Sequence, residues 1–114
     1  MIIKNEFYQV RISCDDTYSL DSVKNRKYDI VLNPKGYEKD DMYNVSCVEV
    51  KGKNSYKLAL IGNHYSYHDN CAILEDKKLI VLKNYDIYVI DLENMSLVNE
   101  YEVEDMACNF GYIE

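Results

Sequence analysis

Short apolar runs separated by polar turn sequences extend along most of the chain, and this spacing is typical of β-strands. A helix is indicated only near residues 19–26, where Ser19 can act as the N-cap of a short helix. In the first half of the chain the pattern predicts strands over residues 2–12, 28–32, 42–50 and 56–61.

The first predicted strand carries an apolar face, and the second ends in a turn. If residues 2–12 form one strand, a period of two residues places four apolar side chains together. These side chains belong to Ile2, Tyr8, Val10 and Ile12. After residue 32 the sequence Asn-Pro-Lys-Gly at residues 33–36 predicts a tight turn, because Pro fixes φ and Gly permits a positive φ.

The second half of the chain predicts four further strands joined by short polar connections. The strands cover residues 71–75, 78–83, 86–92 and 97–103. A parallel return needs a crossover of about a dozen residues or more, which these connections do not provide. The second half is therefore predicted to be a four-stranded antiparallel meander.

The two middle strands of this meander are apolar on both faces, over residues 79–82 and 87–90. Such strands are expected in the centre of a sheet that is covered on both sides. Either the first half of the chain or a partner subunit must then supply a second layer. We expect a single all-β domain over residues 1–114, mainly an antiparallel meander arranged as a two-layer or partly closed sheet.

The cysteines and the hydropathy of the chain are used to predict its cellular location. Cys14, Cys47, Cys71 and Cys108 are widely spaced and form no Cys-x-x-Cys pair, so free thiols are expected. Cys47 and Cys71 lie in apolar runs and are expected to be buried. No apolar run approaches the 18 residues of a membrane helix, and the N-terminus resembles no secretion leader. A cytoplasmic location without membrane contact is the expectation.

Charge is distributed unevenly along the chain. The 31 residues after Lys83 contain eight Asp and Glu residues and no Lys or Arg, whereas residues 1–83 are nearly balanced. This asymmetry favours a basic partner for the C-terminal third. Direct binding of nucleic acid is not expected, because phosphate contacts require clustered Lys and Arg and the sequence pI is about 4.8.

The last predicted strand is the most specific acidic feature. A period of two residues places Leu97, Tyr101 and Val103 on one face. The opposite face then carries the candidate partner-binding residues Glu100, Glu102 and Glu104, which Asp105 adjoins. The alternative interpretation is a solvated edge strand whose charges prevent aggregation.

Both histidines lie in the segment Gly62–Cys71, which is the only candidate catalytic or metal-binding segment. Its donors, which could coordinate zinc, are His64, His68, Asp69 and Cys71. Imidazoles four residues apart meet only on a helix, whereas Gly, Asn and Ser favour a loop here. We therefore expect no metal and no other cofactor.

Two tyrosines flank the histidines of this loop, at positions 65 and 67. Tyrosine offers a large contact area with a polar tip and is favoured in protein recognition. Tyr65 and Tyr67 are therefore added to the candidate partner-binding residues, with packing on the rim of the sheet as the alternative.

Several segments together resemble a known group of proteins. They are Tyr65-Ser66-Tyr67, residues 71–76, Leu79-x-Val81-Leu82, Asp91-Leu92 and Cys108-Asn109-Phe110-Gly111. This set resembles a group of small uncharacterised bacterial β-meander proteins, and its strand order also resembles one blade of a β-propeller. The resemblance covers about half the chain. It implies a compact bacterial β-domain and supplies no catalytic residues.

The sequence contains no nucleotide-binding glycine loop, serine nucleophile elbow or His-Glu-x-x-His motif. The expected function is non-enzymatic. We expect an acidic binding module of the inhibitor or immunity type that neutralises a basic protein, for example one that processes nucleic acid. One alternative is an enzyme or metalloprotein that uses the histidine loop. A second alternative is a structural β-protein that forms homo-oligomers.

Overall fold

The structure, a computed structural model, describes residues 1–15, 17, 20, 27–63, 72–83 and 86–102. These residues form nine β-strands and no α-helix. The strands are β1 (Ile2–Lys4), β2 (Gln9–Cys14), β3 (Ile30–Leu32), β4 (Tyr43–Lys51), β5 (Tyr56–Asn63), β6 (Ala72–Glu75), β7 (Lys78–Lys83), β8 (Asp86–Asp91) and β9 (Ser96–Glu102). Apart from Leu20, the short helix predicted near residues 19–26 lies outside the described residues.

The strands form two sheets, which confirms the predicted all-β class. The first sheet has the order β1-β2-β4-β5-β3, and its pairs are antiparallel except for the parallel pair β3 and β5. The second sheet has the order β6-β7-β8-β9 with antiparallel pairs throughout. The predicted meander is therefore confirmed, and the sheets do not close into a barrel.

The main core contains buried side chains from both sheets. The first sheet contributes residues such as Val10, Val48, Leu58 and Leu60, and the second contributes Leu79, Val81, Tyr88 and Ile90. A buried hydrogen bond also joins the sheets, from the Tyr56 hydroxyl to the carbonyl oxygen of Leu92 at 2.7 Å. The first half of the chain thus supplies the second layer that the two-sided apolar strands require.

The opposite faces of the central strands are covered unequally. Leu82 and Ile87 lie on the face of β7 and β8 that points away from the first sheet, and both are buried. On the same face Ile80 and Val89 are half-buried, and Ile73 of the edge strand β6 is exposed. The prediction that β7 and β8 are the central strands is confirmed by the strand order.

The outer face of the first sheet carries a second apolar cluster, formed by Tyr28, Val45, Ala59 and Ile61. A buried carboxylate anchors the neighbouring chain, because Asp15 accepts a hydrogen bond from the Tyr28 hydroxyl at 2.5 Å and pairs with Lys27 at 2.8 Å. Burial alone would raise the pKa of Asp15. Hydrogen bonds from Lys27, Thr17 and Tyr28 nevertheless hold this pKa well below its usual value.

The N-terminal strand prediction was wrong in one respect. Residues 2–12 form a hairpin instead of one strand, because the Asn5 side chain accepts hydrogen bonds from the backbone N–H groups of Phe7 and Tyr8 and reverses the chain. Ile2 pairs with Arg11 and therefore lies on the outer face of the sheet, where it is 53% exposed. It does not join Val10 in the core.

Two of the four cysteines, Cys14 and Cys47, belong to the described residues, and they are not joined by a disulfide bond. Cys47 is half-buried against the outer cluster, whereas Cys14 is exposed. Among the described residues, no helix has the length and hydropathy to cross a membrane.

Candidate acidic interaction site

A β-bulge determines which faces of β9 carry the acidic side chains. Leu97 pairs with Ile90, whereas Tyr101 pairs with Ile87, and the register shifts between residues 89 and 90 of β8. Because Ile90 and Ile87 lie on opposite faces of β8, Leu97 and Tyr101 also lie on opposite faces. The predicted strict alternation from Leu97 to Tyr101 was therefore wrong.

The bulge turns Glu100 toward the same face as the core. Glu100 pairs with Tyr88 and thus lies on the face that packs on the first sheet, while Tyr101 points outward and is 52% exposed. Glu102 occupies the corresponding register position opposite Asp86. The acidic positions of β9 consequently lie on the strand that neighbours Asp86 of β8.

A lysine from the first half of the chain contacts these acids. The Nζ atom of Lys35 lies 3.0 Å from Glu100 Oε1 and 3.3 Å from Asp86 Oδ1. The turn that carries Lys35 is the predicted one, since Gly36 N–H donates to Asn33 O and Gly36 has a φ of +69°. The absence of bases after Lys83 in the sequence is therefore partly offset in space.

Three further carboxylates extend the acidic surface. The loop after the turn carries Glu38, Asp40 and Asp41, all exposed. The Glu38 N–H donates a hydrogen bond to the side-chain oxygen Oδ2 of Asp41 at 2.7 Å. Together with Asp86 and Glu100 they form a surface of five carboxylates against Lys35 and Lys39, which we call the acidic end.

The carboxylates of the acidic end raise the pKa values of two nearby tyrosines. Burial raises the pKa of Tyr37, and the negative charges of Asp86 and Asp41 raise it further. Burial also raises the pKa of Tyr88, together with the charges of Asp86 and Glu100. Both phenols are therefore neutral near pH 7.

The acidic end also exposes an apolar side chain. Met42 follows Asp41 and precedes β4, and it is 69% exposed, the largest exposure among the large hydrophobic residues of the described chain. An apolar side chain surrounded by charged groups is a common arrangement in protein interfaces. The site therefore offers carboxylate acceptors, one bridging ammonium and an apolar contact, and these are groups suited to binding.

The remaining candidate residues lie outside the described part of the chain. They are Glu104, Asp105, Tyr65 and Tyr67, together with the metal-binding alternative His64, His68, Asp69 and Cys71. Among the described residues, no three His, Cys, Asp or Glu side chains are grouped so that they could hold a metal ion.

A cavity bordered by described residues lies at the other end of the molecule. It has a volume of about 600 Å³ and borders the β6–β7 turn. In it Lys77 pairs with Glu93 at 3.0 Å and lies over the ring of Phe7, and Asp91 accepts hydrogen bonds from Asn94. These groups stabilise the adjoining turns.

Sequence reasoning identified Glu100 and missed Lys35, Asp86 and the loop of residues 38–41. Lys35 and the loop are separated from Glu100 by long stretches of sequence, and the packing of the two sheets brings them together. Asp86 lies near Glu100 through the pairing of β8 and β9. A signal was present in the loop itself, since three carboxylates within four residues follow the predicted turn. Comparison with family models, with curated proteins and with solved structures gives no match for this chain.

Proposed function

We propose that this protein is a non-enzymatic binding module that recognises a basic protein through its acidic end, in the manner of an inhibitor or immunity-type protein. The observation that carries the proposal is the grouping of five carboxylates from three separate chain segments at one end of the two-sheet structure.

The ion pairs of Lys35 support a binding role for the exposed loop acids. Lys35 offsets much of the mutual repulsion between Asp86 and Glu100, whose side chains are 15% and 30% exposed. In contrast, Asp40 forms no ion pair within the described residues and lies beside the exposed Met42. We therefore assign the first contact with the partner to residues 38–42 and a supporting role to the pairs of Lys35.

A nucleic-acid-processing protein is the class of partner that suits this surface. Such proteins carry clustered Lys and Arg side chains that bind phosphate groups. A group of carboxylates can occupy those cationic positions and exclude the nucleic acid. Opposite charges would also accelerate encounter, and this effect weakens as salt shortens the field to about 8 Å at physiological ionic strength.

The test uses immobilised protein to capture a partner at low salt, followed by measurement of its association rate across a salt series. In the variant Glu38→Lys with Asp40→Lys we expect association to slow about tenfold or more. The matched control is Glu6→Lys with Glu75→Lys, which changes the net charge equally at the other end of the molecule. The control should stay within about twofold of the native rate at physiological salt, where distant charges are screened.

Equal rates for the two variants, or a flat dependence on salt, would contradict a role for the acidic end. Reversal of Glu100 is a poorer probe, because it would place a second ammonium beside Lys35 and disturb the packing of the two sheets. Glu100→Gln removes the charge with less disturbance and should slow association by a smaller factor.

A further inference from the structure

Strand pairing gathers scattered basic residues on the outer face of the first sheet. In one row across the sheet Arg11 pairs with Glu49, and Glu49 pairs with Lys57. In the next row Gln9 pairs with both Lys4 and Lys51. The four bases come from β1, β2, β4 and β5, so the sequence contains no run that reveals them. We call this surface the basic face and define it by Lys4, Arg11, Lys51 and Lys57.

The bases of the basic face are close together and largely unpaired. Successive members occupy diagonal positions on neighbouring strands, where Cα atoms lie roughly 7–8 Å apart. Lys57 pairs with Glu49 at 3.5 Å. Within the described residues, Lys4, Arg11 and Lys51 form no ion pair. The surface therefore keeps a local positive charge on a chain whose net charge is −7.

The chemistry of the basic face suits a protein better than a nucleic acid. Single-stranded nucleic acids are held by aromatic side chains on which bases stack, in addition to cations. The described outward positions of β1 and β2 offer no such ring, and the exposed apolar side chain there is Ile2. The overall negative charge also repels a polyanion. A protein surface that carries carboxylates and an exposed apolar side chain could pair with the bases and also cover Ile2.

We propose that the basic face binds the acidic end of a second copy of this chain. The two surfaces are complementary in charge, and each has one well-exposed apolar side chain, Ile2 on the basic face and Met42 at the acidic end. They lie near opposite ends of β4, whose nine residues span about 26 Å at roughly 3.3 Å per residue. The acidic end of one chain therefore docks on another chain, in a head-to-tail contact.

Head-to-tail contacts use two different surfaces and generate rings or open chains of subunits. The contact occupies the same acidic end to which we assign partner binding, so self-association and partner binding compete. The two ideas remain separable, because the basic face takes no part in binding the basic partner. A variant altered only in the basic face would then lose self-association and still bind the basic partner.

The test measures the solution mass by light scattering at about 0.1–1 mM protein, a range chosen because exposed ion pairs contribute little each. We expect the mass to exceed that of the 13.4 kDa chain in about 20 mM salt and to return to it in about 0.5 M salt. Arg11→Glu with Lys51→Glu should abolish the increase. The control variant Lys77→Glu with Lys78→Glu makes an equal charge change at the β6–β7 turn. Its increase in mass at low salt should stay within about twofold of the increase seen for the native protein. Circular dichroism would verify folding of each variant.

A mixing experiment gives the strictest test. The variant Glu38→Lys with Asp40→Lys should also remain a single chain, since its acidic end has lost the required charge. An equimolar mixture of this variant with the Arg11→Glu, Lys51→Glu variant should associate again. The intact acidic end of the second variant meets the intact basic face of the first, and the two altered surfaces are also complementary in charge. Both variants keep a negative net charge, so general attraction cannot explain association.

Three results would overturn the proposal. They are a single-chain mass for the native protein at low salt, self-association that survives reversal of Arg11 and Lys51, and failure of the two variants to associate when mixed. A fluorescent 20-nucleotide single strand serves as the other probe. Its binding to the native protein and loss in the basic-face variant would assign this surface to nucleic acid instead.

Discussion

The side-chain nitrogen of Lys35 lies 3.0 Å from Glu100 Oε1, although the two residues are 65 positions apart in the chain. The contact joins the loop after β3 of the first sheet to the edge strand β9 of the second, and Asp86 of β8 shares the same ammonium. One basic side chain thereby connects the two sheets at the acidic end.

Removal of this ammonium should destabilise the protein moderately. In Lys35→Ala, Asp86 and Glu100 remain close to each other without a compensating charge. We expect the free energy of unfolding to fall by about 0.5–1.5 kcal/mol, a range reduced for screening because Lys35 is about one-third exposed. Urea denaturation at pH 7 in low salt would measure the change. Lys39→Ala in the same loop is the control and should change the free energy of unfolding by less than about 0.5 kcal/mol.

Asp15 should make stability depend on acid pH. Its folded-state pKa is depressed by hydrogen bonds that outweigh the effect of burial, so its contribution is fully present above its unfolded pKa of about 3.9. That contribution is lost as the pH falls from there toward the folded pKa. Asp15→Asn should cost about 1–3 kcal/mol at pH 7 and much less near pH 2. Urea midpoints at the two pH values would check this, and an equal loss at both would contradict it.

The central strands of the second sheet should tolerate truncation poorly. Val81 is buried on the inner face and Ile87 on the outer face. Replacement of either by Ala should lower the free energy of unfolding by about 1–4 kcal/mol through lost burial and cavity formation. Val98→Ala on β9 is the exposed control, with an expected loss below about 0.5 kcal/mol. If Val81→Ala and Ile87→Ala cost no more than the control, these strands are not central.

The hydroxyl of Tyr56 should contribute to the cohesion of the sheets. Tyr56→Phe leaves the buried carbonyl of Leu92 without its donor and should cost about 1–2 kcal/mol. Burial raises the pKa of Tyr56 to about 12, so its stabilising effect is full below the ordinary value near 10 and disappears as the pH approaches 12. Denaturation at pH 8 and 11.5 would measure the difference in free energy of unfolding between the native protein and Tyr56→Phe. This difference should be smaller at pH 11.5. Tyr101→Phe, at an exposed position, should show no comparable change.

Chelation tests the alternative that the histidine loop forms a metal centre. We expect the melting temperature to be unchanged by a chelator, because the spacing of His64 and His68 suits a loop better than a helical metal site. A structural metal would instead contribute directly to folding stability. A marked decrease on chelation that zinc reverses would favour the metalloprotein alternative over the binding module.

The sequence determined the class of structure because strand periodicity and turn chemistry act locally. Residues 78–83 and 86–91 could be identified as neighbouring antiparallel strands from their apolar runs and short connection. Likewise, Asn33–Gly36 could be identified as a turn from the requirements of Pro and Gly alone. The need for a second layer also followed, since strands apolar on both faces must be covered.

Local patterns misplaced two side chains, and in both cases chain geometry within the sheet was responsible. Ile2 was assigned to the inner face because the reversal imposed by Asn5 has no hydrophobic signature. Tyr101 was assigned to the face of Leu97 because a single bulge residue in β9 changes the face of every residue that follows it.

Only the tertiary structure decided where charge accumulates. The run of acids after Lys83 was visible in the sequence, but its partial neutralisation by Lys35 and its extension by residues 38–41 depend on the packing of one sheet on the other. The basic face depends on the pairing of the β1–β2 hairpin with β4 and β5, which lie far from it in sequence. Periodicity specifies which face of a strand a side chain occupies. Neighbours across strands are set by register and sheet order, and these arise from contacts between residues far apart in the chain.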